Sequence, residues 1–153
     1  MGIGYNTTTQ RADLLWDINS QEHGVTSIAV GDVDALAGNE VVWGTGASSS
    51  GRDDFVIAGF TPSISVKWQS SVEAQIDGRF IGGAPARTAA GASRLMFISP
   101  STNSGYGGMR AIGLHPTTGE LELSDEIGTN WAHGSALGVA DYDNDGVDEL
   151  FVG

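Results

Sequence analysis

The sequence predicts an all-β chain, and three observations support this fold class. The 153 residues include 23 glycines, which favour frequent turns. Long helix-forming stretches are few, and apolar residues instead alternate with polar ones in short runs. Similar strand–turn–strand segments also recur along the chain. Many short strands separated by glycine-containing turns are typical of a β protein.

The recurring segment is a pair of strands joined by a polar loop. The second strands of its three copies contain Val41, Leu95 and Leu150, which are 54 and 55 residues apart. A fixed spacing of this size indicates a repeat architecture. The predicted strand pairs are Ser27–Asp34 with Glu40–Gly46, Gly78–Ala84 with Arg94–Ile98, and Ser135–Ala140 with Glu149–Val152.

Two more strands are predicted after each of the first two pairs. They span Asp54–Phe60, Ile64–Gln69, Met109–Leu114 and Glu120–Ser124. After the third pair no such strands follow, but Gly2–Asn6 and Ala12–Asp17 match them at the other end of the sequence. In particular, Leu14–Trp16 matches Val66–Trp68. Each repeat is therefore four antiparallel strands, which is the unit of a β-propeller blade.

The sequence thus predicts one β-propeller segment over residues 1–153, with three blade equivalents in a permuted order. Residues 1–20 would supply the third and fourth strands of a closing blade, and 132–153 its first and second; 24–72 and 76–127 would form complete blades. Propellers typically have four to eight blades. We therefore expect either a longer chain or self-association, as a dimer with six blades or as a head-to-tail filament.

Charge and composition argue against several classes of partner. Acidic residues outnumber basic ones 19 to 7, for a net charge of −12, and this disfavours nucleic acid, whose affinity depends on Lys and Arg. No apolar run approaches the ~20 residues of a membrane helix, so we expect no membrane insertion. There is no cysteine, and hence no disulfide or thiolate site.

The most informative motif is the loop Asp141–Glu149, which lies between two predicted strands. Oxygen-bearing side chains at its positions 1, 3, 5 and 9, together with a glycine, are what Ca²⁺ prefers. A helix-flanked EF-hand loop also has a carboxylate at position 12, where this chain has Val152. The loop is therefore interpreted as a calcium loop on a β scaffold. The alternative is a polar β-turn rich in Asp, Asn and Gly.

With these motifs the chain resembles the FG-GAP/VCBS repeat family, β-propellers related to the integrin alpha-subunit head. The matching residues are Val139–Val152, which read as strand, Asp-x-Asp-x-Asp-Gly-x-x-acid, strand, and Val30–Asp34 with Glu40–Trp43. The resemblance implies calcium loops between the first and second strands of a blade. It also implies an extracellular or cell-surface role in adhesion or ligand binding, or as an accessory domain of an extracellular enzyme.

The resemblance implies a ligand set for the third loop: Asp141, Asp143, Asp145 and Glu149 through carboxylates, and Val147 through its carbonyl. Asp148 is expected to be a solvated neighbour. In the first copy Asp32, Asp34 and Glu40 fit three of the positions, but Leu36 replaces the oxygen at position 5, so a weaker second site is left open. In the middle copy the corresponding residues are taken as Ala84, Ala86 and Thr88, and no metal is expected there.

No catalytic constellation accompanies the metal motif. The chain has no Gly-x-Ser-x-Gly or phosphate-binding loop, and its histidines are scattered. Trp131, close to His133, is the candidate platform for a sugar or another ligand. We expect a non-enzymatic, calcium-binding extracellular module for ligand binding, adhesion or self-assembly, with a protein or carbohydrate as ligand. The alternatives are a fragment or accessory domain of an extracellular polysaccharide-active enzyme, and an engineered propeller piece.

Overall fold

The structure is a computed structural model of the protein, and it describes residues 2–16, 25–34, 36–45, 54–59, 65–71, 81–99, 109–127 and 136–153. These residues form twelve β-strands and no helix. Accordingly, within these ranges there is no helix long and apolar enough to cross a membrane. The all-β prediction is confirmed.

The strands pair with antiparallel neighbours in chain order. They are β1 (Gly2–Asn6), β2 (Arg11–Trp16), β3 (Val25–Gly31), β4 (Glu40–Thr45), β5 (Asp54–Gly59), β6 (Ser65–Ser71), β7 (Ile81–Arg87), β8 (Ser93–Ser99), β9 (Arg110–Leu114), β10 (Leu121–Glu126), β11 (Leu137–Ala140) and β12 (Glu149–Val152). Strands β3–β6 form the first four-stranded sheet and β7–β10 the second, while β1–β2 and β11–β12 are separate two-stranded hairpins.

Strand β7 differs most from its prediction. It was expected at Gly78–Ala84 but spans Ile81–Arg87, and residues 78–80 lie outside the described part of the chain. The ladder with β8 shifts register here, and Gly82 and Gly83 have φ angles of 125° and 98°. Such angles are readily adopted only by glycine. The resulting bulge lets the strand continue beyond its predicted end.

The second sheet is the centre of the core because both of its faces are covered. The run Leu95–Ile98 on β8 is buried throughout, and alternate residues of a strand point to opposite faces. One face packs against the first sheet through Val33, Val42, Leu95, Phe97, Ile112 and Leu114, with Trp68. The other packs Ala86, Met96, Ala111 and Leu123 against Leu137, Val139 and Leu150 of the β11–β12 hairpin.

Strand β7 lies where these sheets meet, in contact with β3, β4 and β11. A Cβ placed on Gly82 would lie 2.6 Å from the Met96 carbonyl oxygen and 2.6 Å from Leu137 Cδ2. Only glycine therefore allows the hairpin to approach the second sheet this closely. The approach also fixes where the loop between β11 and β12 sits.

Trp68 on β6 joins the first sheet to the turn between β9 and β10. Its Nε1 donates a hydrogen bond of 2.9 Å to the Pro116 carbonyl oxygen. Gly119 in the same turn has a φ of 73°, and a Cβ there would lie 2.5 Å from Trp68 Cε3. The turn is thus shaped to receive the indole ring.

Candidate metal centre

The loop between β11 and β12 gathers three acidic side chains. The ladder ends at the pair Ala140–Glu149, and Asn144 and Gly146 beyond it have φ angles of 63° and 91°. Asn and Gly are the residues that most readily adopt this left-handed conformation. Carboxylate oxygens of three loop residues lie within 4.8 Å of one another, namely Asp141, Asp143 and Asp145.

Backbone amides of the loop hold these carboxylates in place. The Asp145 amide donates to Oδ1 of both Asp141 and Asp143, each at 3.1 Å. The Gly146 amide donates to Asp141 Oδ2 at 3.1 Å, and the Val147 amide to Asp145 Oδ1 at 2.8 Å. These bonds are local to the loop, as in Asx turns. They orient the oxygens but leave their negative charge uncompensated.

The two remaining predicted ligands lie at the base and the far side of the loop. Glu149 Oε2 accepts a 2.7 Å hydrogen bond from the amide of Tyr142, at the start of the loop. Its carboxylate is not among the three that the described residues bring within 4.8 Å. Val147 follows the last of the three, with its own amide bonded to Asp145. Of the four predicted carboxylate ligands, three thus lie within 4.8 Å of one another in the described structure.

Asp148 is not the solvated neighbour that the sequence predicted. Its side chain pairs with the Arg87 guanidinium, with Nη2 to Oδ1 at 2.7 Å. The two residues are also joined by the Arg87 amide to Asp148 Oδ2 at 2.6 Å and by the Asp148 amide to the Arg87 carbonyl oxygen at 3.0 Å. Hydrogen bonds from the Arg87 side chain and then from its amide hold the pKa of Asp148 below its ordinary value of 3.8. This ion pair and these hydrogen bonds therefore attach the loop to the end of β7.

The loop keeps a strong negative charge despite its ion pair with Arg87. The Arg87 guanidinium also reaches Asp141 Oδ2 at 3.3 Å, and the hydrogen bond and charge of Asp148 chiefly raise the pKa of Arg87. Of the cations in the described part of the chain, Arg87 is the one whose ion pairs reach this loop. One positive charge thus faces five carboxylates between positions 141 and 149. Their mutual repulsion favours the binding of a cation.

The equivalent cluster in the first sheet already contains an internal cation. Carboxylate oxygens of Asp32, Asp34 and Glu40 also lie within 4.8 Å of one another. Lys67 Nζ lies 2.7 Å from Asp34 Oδ2 and 2.7 Å from Glu40 Oε1. The side chains of Asp34 and Glu40 are only 2% and 1% exposed, against 30% for Lys67. The ammonium group therefore pairs with both of the buried carboxylates that a metal ion would need, and offsets one of their two negative charges.

Sequence reasoning missed Lys67 because it comes from a distant strand. It lies 27 residues after Glu40, on β6. Burial lowers the pKa of Lys67, but the hydrogen bonds and charges of Asp34 and Glu40 outweigh this, so the pKa is raised above 10.5. A basic residue on an otherwise polar face of the fourth strand was the available signal. The weaker second metal site stays a prediction, with a competing cation now identified.

Strands β7 and β8 carry arginines next to their connecting turn, at the positions where the equivalent strand pairs have acids. Ala86 pairs with Arg94 in the ladder, as Ala140 pairs with Glu149. The residue that follows Ala86 is Arg87, so Arg87 holds the position of Asp141, and the assignment of that position to Ala84 was wrong. The cause is the bulge at Gly82 and Gly83, which shifts the strand along the sequence.

Arg94, at the position of Glu149 and Glu40, pairs with the fourth strand of its own sheet. Its Nε donates to Glu122 Oε2 at 2.9 Å. This pair corresponds to Glu40 and Lys67 in the first sheet with the two charges exchanged. Both four-stranded sheets therefore have an ion pair between their second and fourth strands. The acid lies on the second strand in the first sheet and on the fourth strand in the second sheet.

Trp131 and His133, the candidate ligand platform, lie outside the described residues. Comparisons with protein-family models, with curated proteins and with solved structures give no match for this chain. The resemblance to FG-GAP/VCBS propellers consequently rests on the motifs of the chain, and it stays a prediction.

Proposed function

We propose that the chain is a calcium-binding segment of an extracellular β-propeller that serves in ligand binding, adhesion or self-assembly and is not an enzyme. The observation that supports calcium most directly is the contrast between the two acidic clusters. The Asp32, Asp34 and Glu40 cluster has Lys67 as its own cation. The cluster of Asp141, Asp143 and Asp145 has only the partial compensation of Arg87.

The stacking of the sheets supports a propeller. Strands β3, β7 and β11 are each the first of their sheet or hairpin, and β7 contacts both β3 and β11. First strands that lie side by side, with the later strands of each sheet beyond them, are what a radial arrangement of blades requires. The resemblance to FG-GAP/VCBS repeats points to the same architecture and to an extracellular role.

Calcium would act on the stability of the β11–β12 hairpin. Asp141, Asp143 and Asp145 would supply carboxylate oxygens, and Glu149 and the Val147 carbonyl would complete the set after a local adjustment of the loop. A bound divalent cation would offset the repulsion among these carboxylates. Extracellular calcium modules bind with Kd values of about 10⁻⁴–10⁻³ M, which suits the millimolar calcium outside cells.

The test is calcium-dependent thermal stability. At calcium tenfold above Kd, binding stabilises the folded state by about 1.4 kcal/mol, or roughly 3–6 °C in Tm for a domain of this size. We expect a chelator to lower Tm by this amount and Asp143→Ala to abolish the difference between chelator and calcium.

Asp125→Ala is the matched control because Asp125 is an exposed carboxylate on β10, outside both acidic clusters. This variant should keep the full calcium response. A wild-type Tm that is the same in chelator and in millimolar calcium, with no binding heat in calorimetry, would remove calcium from the proposal.

A further inference from the structure

We infer that the β1–β2 hairpin of one copy of this chain joins the β11–β12 hairpin of a second copy, edge to edge, to form a third four-stranded sheet. This inference rests on the proposed propeller architecture. It goes further by assigning the partner, the strand register and the surfaces that become buried. The support comes from the registers of the two hairpins, from their unpaired edges and from the exposed apolar faces.

The β1–β2 hairpin has the same irregularity as the third and fourth strands of both complete sheets. In each of these strand pairs one extra residue on the later strand has no partner in the ladder. The extra residue is Lys67 in β5–β6, Glu122 in β9–β10 and Leu15 in β1–β2. A shared bulge at a matching place identifies β1 and β2 as the structural equivalents of third and fourth strands.

The β11–β12 hairpin has the register of a first and second strand. Its last ladder pair before the loop is Ala140–Glu149, which corresponds to Gly31–Glu40 in β3–β4. In both hairpins eight residues separate the two members of this pair. One hairpin thus matches the first half of a sheet, and the other matches the second half.

Both hairpins have an edge that is ready for pairing. Among the described residues, β12 pairs only with β11, and β1 pairs only with β2. In the complete sheets the corresponding edges are joined, as β4 with β5 and β8 with β9. Unpaired edges are templates for the addition of a strand.

The complete sheets also fix the register of the proposed junction. Val41 lies opposite Ala58, and Leu95 lies opposite Leu114. Leu150 follows Glu149 as Val41 follows Glu40. Ile3 pairs with Leu14, the residue just before the bulge residue Leu15, as Ala58 pairs with Val66, the residue just before Lys67. We therefore place Leu150 of one copy opposite Ile3 of the other.

Several apolar side chains that remain exposed are ones that such a sheet would bury. On the first sheet Val42 faces the second sheet, so Ile28 and Val30, which pair with Trp43 and Val41, lie on the opposite face. Ile28 and Val30 are 59% and 66% exposed, whereas their cross-strand partners Trp43 and Val41 on the same face are buried. The β1–β2 hairpin likewise exposes Ile3, Tyr5 and Leu14 on one face, and β12 exposes Phe151.

These faces complement one another because the same contact already occurs twice inside the chain. The face of the first sheet that contains Val42 packs on the face of the second that contains Leu95. The second sheet in turn packs its Met96 face on the face of β11–β12 that contains Leu150. By the same rule, the opposite face of β11–β12, which contains Phe151, would pack on the face of a first sheet that contains Ile28 and Val30. We place the first sheet of the second copy there.

A copy cannot supply both sides of this contact by itself. The first sheet and the β11–β12 hairpin of one chain lie on opposite faces of the second sheet. Closing a ring of three sheets would fall below the four to eight that propellers use. Two copies that exchange hairpins would form a closed ring of six sheets. At each junction between the copies, two different surfaces of the chain would meet.

The junction would also explain the difference between the two acidic clusters. The bulge residue of the first sheet is Lys67, which pairs with Glu40. In the proposed sheet the residue at this position is Leu15, which has no charge. Glu149 would therefore receive no lysine from its own sheet, and an external cation would take that role.

The test is disulfide trapping between two separately purified variants, Ile3→Cys and Leu150→Cys, since the natural chain contains no cysteine. Opposed residues of antiparallel strands have Cα atoms about 4.5–5.5 Å apart, within the span of a disulfide. On mixing under mild oxidation we expect a linked species of twice the chain mass and loss of both free thiols. A link formed from a mixture of two variants can only join two copies.

Tyr5→Cys is the matched control, because Tyr5 is as exposed as Ile3, at 68% against 64%, but two residues out of register. It should form little link with Leu150→Cys. The double variant Val41→Cys/Ala58→Cys is the positive control for this register within one sheet. If that pair forms its internal disulfide while Ile3→Cys and Leu150→Cys do not link, the inference fails and the sheet register stands.

The solution mass of the wild-type chain completes the test. A dimer supports hairpin exchange in a closed ring, and larger species that give the same in-register link support exchange in an open filament. A monomer, or equal linking through Tyr5→Cys, would overturn the inference. Trapping in chelator as well as in calcium separates this outcome from that of the calcium proposal, since a link formed without calcium supports the junction alone.

Discussion

Replacing Lys67 by methionine is the sharpest test of how the first acidic cluster is held together. Methionine keeps an unbranched side chain that is one atom shorter, and it removes the ammonium group. The change would leave Asp34 and Glu40 as two neighbouring buried carboxylates without their cation. We expect the free energy of unfolding to fall markedly.

The magnitude follows from the burial of the three groups. Removing one partner of a buried ion pair costs about 3–5 kcal/mol, whereas pairs at the surface contribute about 0–1 kcal/mol. The two carboxylates are almost fully buried, but the Lys67 side chain is 30% exposed and partly screened by solvent. We therefore expect Lys67→Met to cost about 2–3 kcal/mol, or roughly 5–10 °C in Tm.

Arg94→Met is the matched control because it breaks the charge-reversed pair at the equivalent positions of the second sheet. The side chains of Arg94 and Glu122 are 34% and 33% exposed, so the pair is solvated on both sides. Its loss should cost less than about 1 kcal/mol. Both variants would be measured by urea and thermal unfolding in chelator.

Two further measurements separate the ion pair from a simple packing effect. The pKa of Lys67 is raised above 10.5, so its contribution is fully present below that pH and is lost as the pH rises through the folded-state pKa. Wild type and Lys67→Met should therefore converge in stability at strongly alkaline pH. Calcium should also stabilise Lys67→Met more than wild type, since the Asp32, Asp34 and Glu40 cluster could then accept the ion. Equal costs for Lys67→Met and Arg94→Met would refute the reasoning.

Two predictions concern the contacts between sheets. Gly119→Ala should lower the free energy of unfolding by about 2 kcal/mol or more, because a φ of 73° disfavours alanine and its Cβ would overlap the Trp68 ring; an unchanged urea midpoint would contradict this. Asp148→Asn should lower Tm at pH 7, since it removes the charge that pairs with Arg87. The pKa of Asp148 lies below 3.8, so its contribution is lost as the pH falls through that range, and a Tm difference that persisted there would exclude the ion pair as the cause.

The positions of most strands could be predicted because strands and turns depend on residues that are close together in the sequence. Period-two alternation and glycine-rich turns located the strands, and the repeat of about 54 residues grouped them into fours. The largest displacement was that of β7, where the bulge at Gly82 and Gly83 shifted the strand, while β3 begins and ends two to three residues before its predicted bounds. A bulge changes which residue follows a ladder pair, and the adjacent Gly82 and Gly83 within the predicted strand were the local signal for it.

The candidate site divides along the same line. The acidic spacing from Asp141 to Asp145 is contained in one loop, so the sequence was sufficient to predict that these carboxylates gather. The partners of the clusters come from other strands, as Lys67 and Arg87 do. The spacing of residues along the chain does not indicate which side chains from another strand, or from another sheet, lie next to the loop.

The sequence by itself therefore determined the strand content and the acidic loops, because each depends on residues near one another in the chain. Only the tertiary structure decided which acidic cluster has a buried ion pair with a lysine and which apolar side chains remain exposed. Burial and strand register are properties of the packed sheets. They make Lys67 an internal counter-ion, pair Asp148 with Arg87, and, among the described residues, leave Ile3 and Leu150 on strands with one unpaired edge.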